Sequence, residues 1–177
     1  MSIYDRFSEA EIEILKVRAE RIAHAAGDDQ ALDTINGLSV SVNDETYVLP
    51  IETLAAIYEQ TPVVPVPCTP DYVRGIANIR GHIVPVVDLG ALLQMPVSAG
   101  AQAAALIVVR HQDITLAFQV DQVGDVTAVA KHQLVAAPFG QGDAQARYIQ
   151  GILEDGAVLI NVVALLEDPM LAVNAQQ

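Results

Sequence analysis

Apolar and polar residues change their period along this chain, and each change marks an element. Between residues 8 and 26 the period is helical, with Ile12, Leu15, Ala19, Ile22 and Ala26 recurring on one face. Ser8 followed by Glu11 forms a capping box, and Gly27 ends the run. Ile14 and Val17 widen the apolar face, which predicts a helix docked on its own chain with Leu15 and Ile22 buried. From Leu38 the period becomes two: Leu38, Val40 and Val42 alternate with Ser39, Ser41 and Asn43, and turn residues 43–45 lead into Tyr47–Ile51. That is a β-hairpin. Thr61 to Asp71 carries four prolines, which excludes a helix or central strand and leaves an extended connector or edge. Strand patterns return at 73–78 and 83–87 around Arg80 and Gly81, a second hairpin, followed by a short helix over 89–94.

Residues 95–102 read as a small-residue loop, and the second half then repeats the first in kind. It offers strands at 105–110, 114–121 and 123–130, then a hairpin of 148–153 and 157–161 around Glu154–Gly156, and a helical turn at 162–166. Many short strands at regular spacing predict a mainly β chain built of small barrels. The divisions expected are a helical extension over 1–35, a first barrel over 36–100, a second over 101–168, and a tail over 169–177.

Composition narrows the function. Of 177 residues, 52% are apolar and only 5% aromatic, with no tryptophan, so the core is aliphatic. The net charge is −13, spread along the whole chain, and Lys and Arg form no cluster. Nucleic acid and anionic membrane surfaces are therefore excluded as partners. Cys68 is the single cysteine, which leaves no internal disulfide and no cysteine-based zinc site. Asp5, Arg6 and Glu9 stand where a signal peptide needs apolar residues, and no stretch is apolar enough for a spanning helix, so the cytoplasm is the expected compartment.

No chemistry is written in a recognised pattern. The serines avoid a nucleophile elbow, His24, His82, His111 and His132 fall in different elements, and the glycines form no phosphate loop. No metal and no cofactor are expected. The one enzyme reading is a hydrolase using Asp121 and Asp125 as an acid–base pair, with Asp88 at the matching strand end of the first half. Carboxylates at strand ends more often accept backbone hydrogen bonds in turns.

The segment Val73-Arg74-Gly75-Ile76-Ala77-Asn78-Ile79-Arg80-Gly81, continuing through Val84-Pro85-Val86-Val87-Asp88-Leu89, is more informative. Together with Tyr47–Ile51, Pro67–Pro70, Phe118–Val123, Pro138 and Tyr148–Ile152 in that order, it resembles the CheW family of chemosensory adaptors, over roughly 36–168. The resemblance implies two five-stranded SH3-like β-barrels forming one CheW-like unit, with no active site. It further implies two partners: the regulatory domain of a CheA-type histidine kinase, and the cytoplasmic hairpin tip of a chemoreceptor. Carried over residue by residue, Arg80, Leu54, Ala105 and Ala117 line a receptor groove between the barrels. Ile57, Val64 and Ile83 are assigned to the kinase face, and Gly75 and Gly81 to tight turns. A chemotaxis adaptor of this kind works in the cytoplasm at membrane-associated receptor arrays.

Two departures from the family pattern stand out. Members often carry a glutamate opposite the signature arginine, where this chain has Ala56; either Glu52 or Glu59 substitutes, or Arg80 keeps donors available for an acidic receptor residue, or the receptor groove is altered. The N-terminal helix is the other, since the minimal pattern does not include it.

Overall fold

Each run of period two becomes a strand. The computed structural model describes residues 12–19, 33–95, 105–138 and 143–172. In it β1 (Thr34–Val42) and β2 (Glu45–Pro50) pair antiparallel around Asn43 and Asp44, both at positive φ, the geometry of a two-residue hairpin turn. β3 (Leu54–Glu59) follows a 3-10 turn at Ile51–Thr53. β4 (Val73–Ile79) and β5 (His82–Asp88) make the second hairpin, and β6 (Ala105–His111) and β7 (Ile114–Val120) the third. β8 (Gln122–Ala130), β9 (Ile149–Ile152) and β10 (Val158–Ile160) complete the described strands. Residues 12–19 form helix α1, and short helices α2 (Leu89–Leu92), α3 (Val162–Leu166) and α4 (Pro169–Ala172) follow β5 and β10.

The strands form two five-stranded sheets of the same plan. Sheet I has the order β3-β6-β7-β5-β4 and sheet II the order β8-β1-β2-β10-β9, and in each the only parallel pair is the third with the fourth strand. An isolated bridge spans the open side of each. In sheet I Val64, beyond edge strand β3, exchanges two backbone bonds with Ile76 of β4, at 2.8 and 2.9 Å; in sheet II Val135, beyond β8, does so with Ile152 of β9, both at 2.9 Å. The fold is thus SH3-like twice over, as expected.

The division near Gly100 does not separate the two sheets. Each half of the chain gives its first two strands to the sheet completed by the other half's last three: β1 and β2 join β8–β10, while β6 and β7 join β3–β5. The chain crosses between sheets at Ile51–Thr53 and again at Asp121. Residues 169–172 also depart from the tail expected there, because they are helical and Leu171 is buried in the core.

One aliphatic core runs through both sheets, from Leu38, Val40 and Leu49 of sheet II to Ile57, Val86, Ile107 and Phe118 of sheet I. A smaller cluster of Val48, Val129, Ala157 and Leu159 lies on the other face of sheet II, as strand alternation dictates for residues adjacent to Tyr47, Leu49, Val158 and Ile160. Helix α1 docks on the main core through Ile12, Ala19 and the half-buried Leu15, whereas Ile14 and Val17 stay exposed. Ile22 lies outside the described residues.

The two halves also end alike. Asp88 caps α2, accepting from Ala91 N–H at 2.9 Å, and Asn161 caps α3, accepting from Ala164 N–H at 3.1 Å. The backbone N–H of each cap donates to a tyrosine carbonyl, Asp88 to Tyr72 at 2.7 Å and Asn161 to Tyr148 at 2.8 Å. Asp88 is buried, and its charge is met by Arg74, whose Nε donates to Oδ2 at 2.9 Å with Nη2 on the same oxygen.

Candidate functional site

Two of the three carboxylates that suggested an enzyme, Asp121 and Asp88, are occupied with structure. Asp121 sits at the crossover from β7 to β8, where its backbone N–H donates to Ser41 O at 2.8 Å and its Oδ2 accepts from Asn43 N–H at 2.7 Å. It pins the crossover to the β1–β2 turn. Asp125 is exposed, Asp88 is a helix cap, and none of the three lines either of the two clefts described below. Nothing in this arrangement supports the hydrolase reading. Among the described residues no three His, Cys, Asp or Glu side chains are grouped to hold a metal ion. No described helix is long and apolar enough to cross a membrane.

What the molecule offers instead is surface. β5 alternates between buried Val84 and Val86 and the outward Ile83 and Pro85. Pro85 is opposite Ile76 of β4, and Ile76 in turn is opposite Val64. A strip Val64–Ile76–Pro85–Ile83 therefore crosses the outside of sheet I, and its ends are 59% and 62% exposed. Large aliphatic side chains gathered this way mark a contact surface rather than scattered surface apolarity. Ile57, assigned with Val64 and Ile83 to the kinase face, is 1% exposed and faces the core. Alternation along β3 turns it inward, so it supports that face without forming it.

The second feature is a cleft of about 450 Å³ at one end of sheet I. Ala55, Ala56 and Tyr58 of β3, Ile83 and Pro85 of β5, and Ile114 of β7 give it apolar walls, and Arg80, His82, Arg110 and Asp113 give it a polar rim. Arg80 reaches the rim because the β4–β5 hairpin turns at Arg80 and Gly81, both at positive φ, with Asn78 Oδ1 accepting from Gly81 N–H at 2.8 Å. The guanidinium lies over the Tyr58 ring, 6.0 Å from its centroid. The cation thus has an aromatic face beside it as well as the rim of the cleft. Arg110 is fixed as well, its Nε donating to Thr115 Oγ1 at 3.2 Å.

Of the four residues assigned to a receptor groove, only Arg80 is at the surface. Leu54, Ala105 and Ala117 are buried, Ala117 completely, because they are inward positions of β3, β6 and β7. Arg80 itself lines a cleft walled by sheet I alone. A different cleft, of about 420 Å³, lies nearer the junction of the sheets and is lined by Ile12, Glu13, Lys16, Glu52, Leu54, Ala55 and Arg110–Gln112. The glycines separate likewise. Gly81 is in a turn with open space around it, but Gly75 lies within β4, where an added Cβ would stand 2.0 Å from Val64 O. Its role is close approach of the bridging segment, not a turn.

Tyr58 and Arg110 carry no motif, and sequence reading passed over both. Their signal is scarcity: Arg110 is one of nine basic residues, placed where β6 runs out of aliphatic positions.

Comparison with known proteins agrees with this picture. The family model described as a CheW-like domain matches residues 36–170. The chemotaxis protein CheW of Rhizobium meliloti is 27% identical over 128 residues, covering 72% of this chain and 83% of that protein. Its namesake in Thermotoga maritima is 29% identical over 115 residues, covering 63% and 76%. Among solved structures, scaffolding protein TtCheW from Thermoanaerobacter tengcongensis superposes with a TM-score of 0.64 over 77% of this chain and 94% of that one, at 22% identity. The exchanged pair of five-stranded sheets and a family match spanning both of them lead to one conclusion: the chain belongs to the CheW-like domain family.

Proposed function

We propose that this protein is a non-catalytic adaptor that couples a chemoreceptor to a CheA-type histidine kinase in chemotaxis or a related chemosensory pathway. The observation that carries the reading is the exposed strip Val64–Ile76–Pro85–Ile83, an aliphatic surface on a chain whose Asp121 and Asp88 carboxylates serve a turn and a helix cap. The kinase regulatory domain takes this strip, with Val64 and Ile83 as its outermost contacts. The cytoplasmic tip of the receptor takes the cleft rimmed by Arg80, where a planar cation held on Tyr58 meets a carboxylate. Both partners present these surfaces in the cytoplasm at receptor arrays.

The test is binding of the full chain to the regulatory domain of its cognate kinase. Ile83→Asp and Val64→Asp each place a charge in an apolar contact and cost about 3 kcal/mol, a roughly hundredfold loss of affinity. Arg80→Asn keeps a residue that tolerates positive φ. It leaves kinase binding unchanged and weakens binding of a soluble receptor fragment. Kinase affinity at wild-type level in both folded aspartate variants refutes the strip, and unchanged receptor affinity in Arg80→Asn refutes the cleft.

A further inference from the structure

The cleft at the end of sheet I reaches deeper than a contact surface requires. Register places its floor: Ala56 of β3 is opposite Val108 of β6, Val108 is opposite Ala117 of β7, and Ala117 is opposite Val86 of β5. Residues two apart on a strand share a face, so Tyr58, Ala56, Val108 and Val84 lie together on the side of the sheet opposite the Ile83–Pro85 strip, and all four are buried. Arg110 and Thr115, paired in register, continue that face out to the rim. The cleft thus opens into the inner side of the SH3-like fold, a position small-molecule sites favour, and its volume of about 450 Å³ suits one. Its charge runs against that of the chain. The net charge is −13 with nine basic residues, yet Arg80 and Arg110 both stand at this rim with His82, and Asp113 is the one acid among the described lining residues. Thr115 orients Arg110 and the Tyr58 ring lies beneath Arg80, so both cations are positioned before anything binds. The shared plan of the two sheets does not demand a cation there: in sheet II the corresponding β9–β10 turn carries Asp155-Gly156 where β4–β5 carries Arg80-Gly81.

We propose that this cleft is a binding site for a small organic anion, a monocarboxylate with a compact aliphatic body. The body enters between Ala56, Val84 and Val108, where it leaves water, and the carboxylate stays at the rim, accepting from the guanidinium groups of Arg110 and Arg80. Asp113 repels a second negative charge and so favours a single carboxylate over a dicarboxylate. The site stands on the cleft alone. Its consequence rests on the receptor reading above, because a free carboxylate at this rim competes with an acidic receptor residue for the same cations.

The experiment titrates hexanoate into the full chain, with 1-hexanol and hexylammonium as its neutral and cationic counterparts, and follows the methyl groups of Ala56, Val84 and Val108 by NMR. Hexanoate is expected to give saturable shifts at all three, with an affinity about tenfold above that of hexanol and further above that of hexylammonium. Arg110 and Asp113 are exposed, so their variants keep the fold. Arg110→Gln lowers hexanoate affinity about tenfold and leaves hexanol unchanged, whereas Asp113→Asn raises hexanoate affinity. Hexanoate and hexanol binding alike overturns the proposal, as does hexanoate affinity that Arg110→Gln does not alter. Absence of saturable shifts at the three methyls also overturns it and leaves the receptor reading standing. A last titration adds a soluble receptor fragment carrying the cytoplasmic hairpin tip. Fragment affinity that falls as hexanoate saturates the cleft supports both, and fragment affinity unchanged by bound hexanoate supports the anion site while overturning the receptor reading of this cleft.

Discussion

Replacing Asp88 tests whether the first half of the chain is held by its cap, by its ion pair, or by both. The carboxylate is 9% exposed and does two jobs with different atoms: Oδ1 accepts from Ala91 N–H at 2.9 Å, and Oδ2 accepts from Arg74 Nε at 2.9 Å and from Nη2. Loss of an N-cap hydrogen bond costs about 1 kcal/mol. Loss of charge-assisted bonds to a buried carboxylate costs roughly 1.5–3 kcal/mol. The Arg74 side chain is 44% exposed and regains water when its partner is removed, which argues for the low end of that range. Asp88→Ala is therefore expected to lose about 2.5 kcal/mol, or roughly 5–10 °C in Tm for a chain of this size. Asp88→Asn keeps the cap, as Asn161 does at the matching position of the second half, and gives up only the charge. Its loss should be about 1.5 kcal/mol. Thermal and urea unfolding of wild type, Asp88→Asn, Asp88→Ala and Arg74→Ala measure the series. If the asparagine variant is as unstable as the alanine one, the cap contributes nothing and the reasoning is wrong.

Two further perturbations follow from the same geometry. Gly75→Ala drives a Cβ toward Val64 O and breaks the bridge that spans the open side of sheet I, costing about 3 kcal/mol or more, whereas Gly81→Ala, with open space at positive φ, costs only about 1 kcal/mol; equal urea midpoints for the two would contradict this. Burial, followed by the charges of Glu45 and Asp88, pushes the Tyr47 phenol up to about 12, and burial with the Asp168 hydrogen bond does the same to Tyr148. The unfolded chain therefore releases these protons first as the pH rises above 10, so stability is full below that value and is lost between pH 10 and about 12. Tyr47→Phe, which removes a buried hydroxyl with no hydrogen-bond partner among the described residues, should leave neutral-pH stability unchanged or raised and flatten the alkaline limb; an unaltered limb would show that Tyr47 does not titrate there.

Local pattern revealed every hairpin because its causes are local. Period-two alternation, paired turn residues and proline placement act within a dozen residues, and the strands at 34–50, 73–88 and 105–120 follow from them. The repetition of the halves was also visible in kind, and a sharper signal was present: Tyr72-Val73-Arg74-Gly75-Ile76 matches Tyr148-Ile149-Gln150-Gly151-Ile152. Both glycines serve the same need, for a Cβ at Gly151 would stand 2.9 Å from Leu134, beside the Val135 bridge, as one at Gly75 would stand against Val64. The site was less legible. Arg80, Val64 and Ile83 do lie at the surface, but Leu54, Ala105, Ala117 and Ile57 were placed on surfaces by analogy although their strands turn them inward. Inward and outward positions of a strand cannot be told apart when both are small and apolar, as in Leu54-Ala55-Ala56-Ile57.

Which strand pairs with which is a different kind of information, and it explains why the boundary at Gly100 misled. A hairpin is determined by its own turn, but β2 meets β10 and β5 meets β7 as parallel partners with no turn between them. The halves share one plan, and the crossovers direct the first two strands of each half into the sheet of the other. At Asp121 that decision is visible: a single residue separates β7 from β8, too few to return the chain to its own sheet, and the carboxylate ties the crossover to the Asn43 turn of the other one. The exchange gives each sheet strands from both halves and lays one core across them, so a force applied at the exposed strip on sheet I bears on strands from both ends of the chain. An adaptor gains from that construction, since the two sheets form one body instead of two domains hinged at a linker.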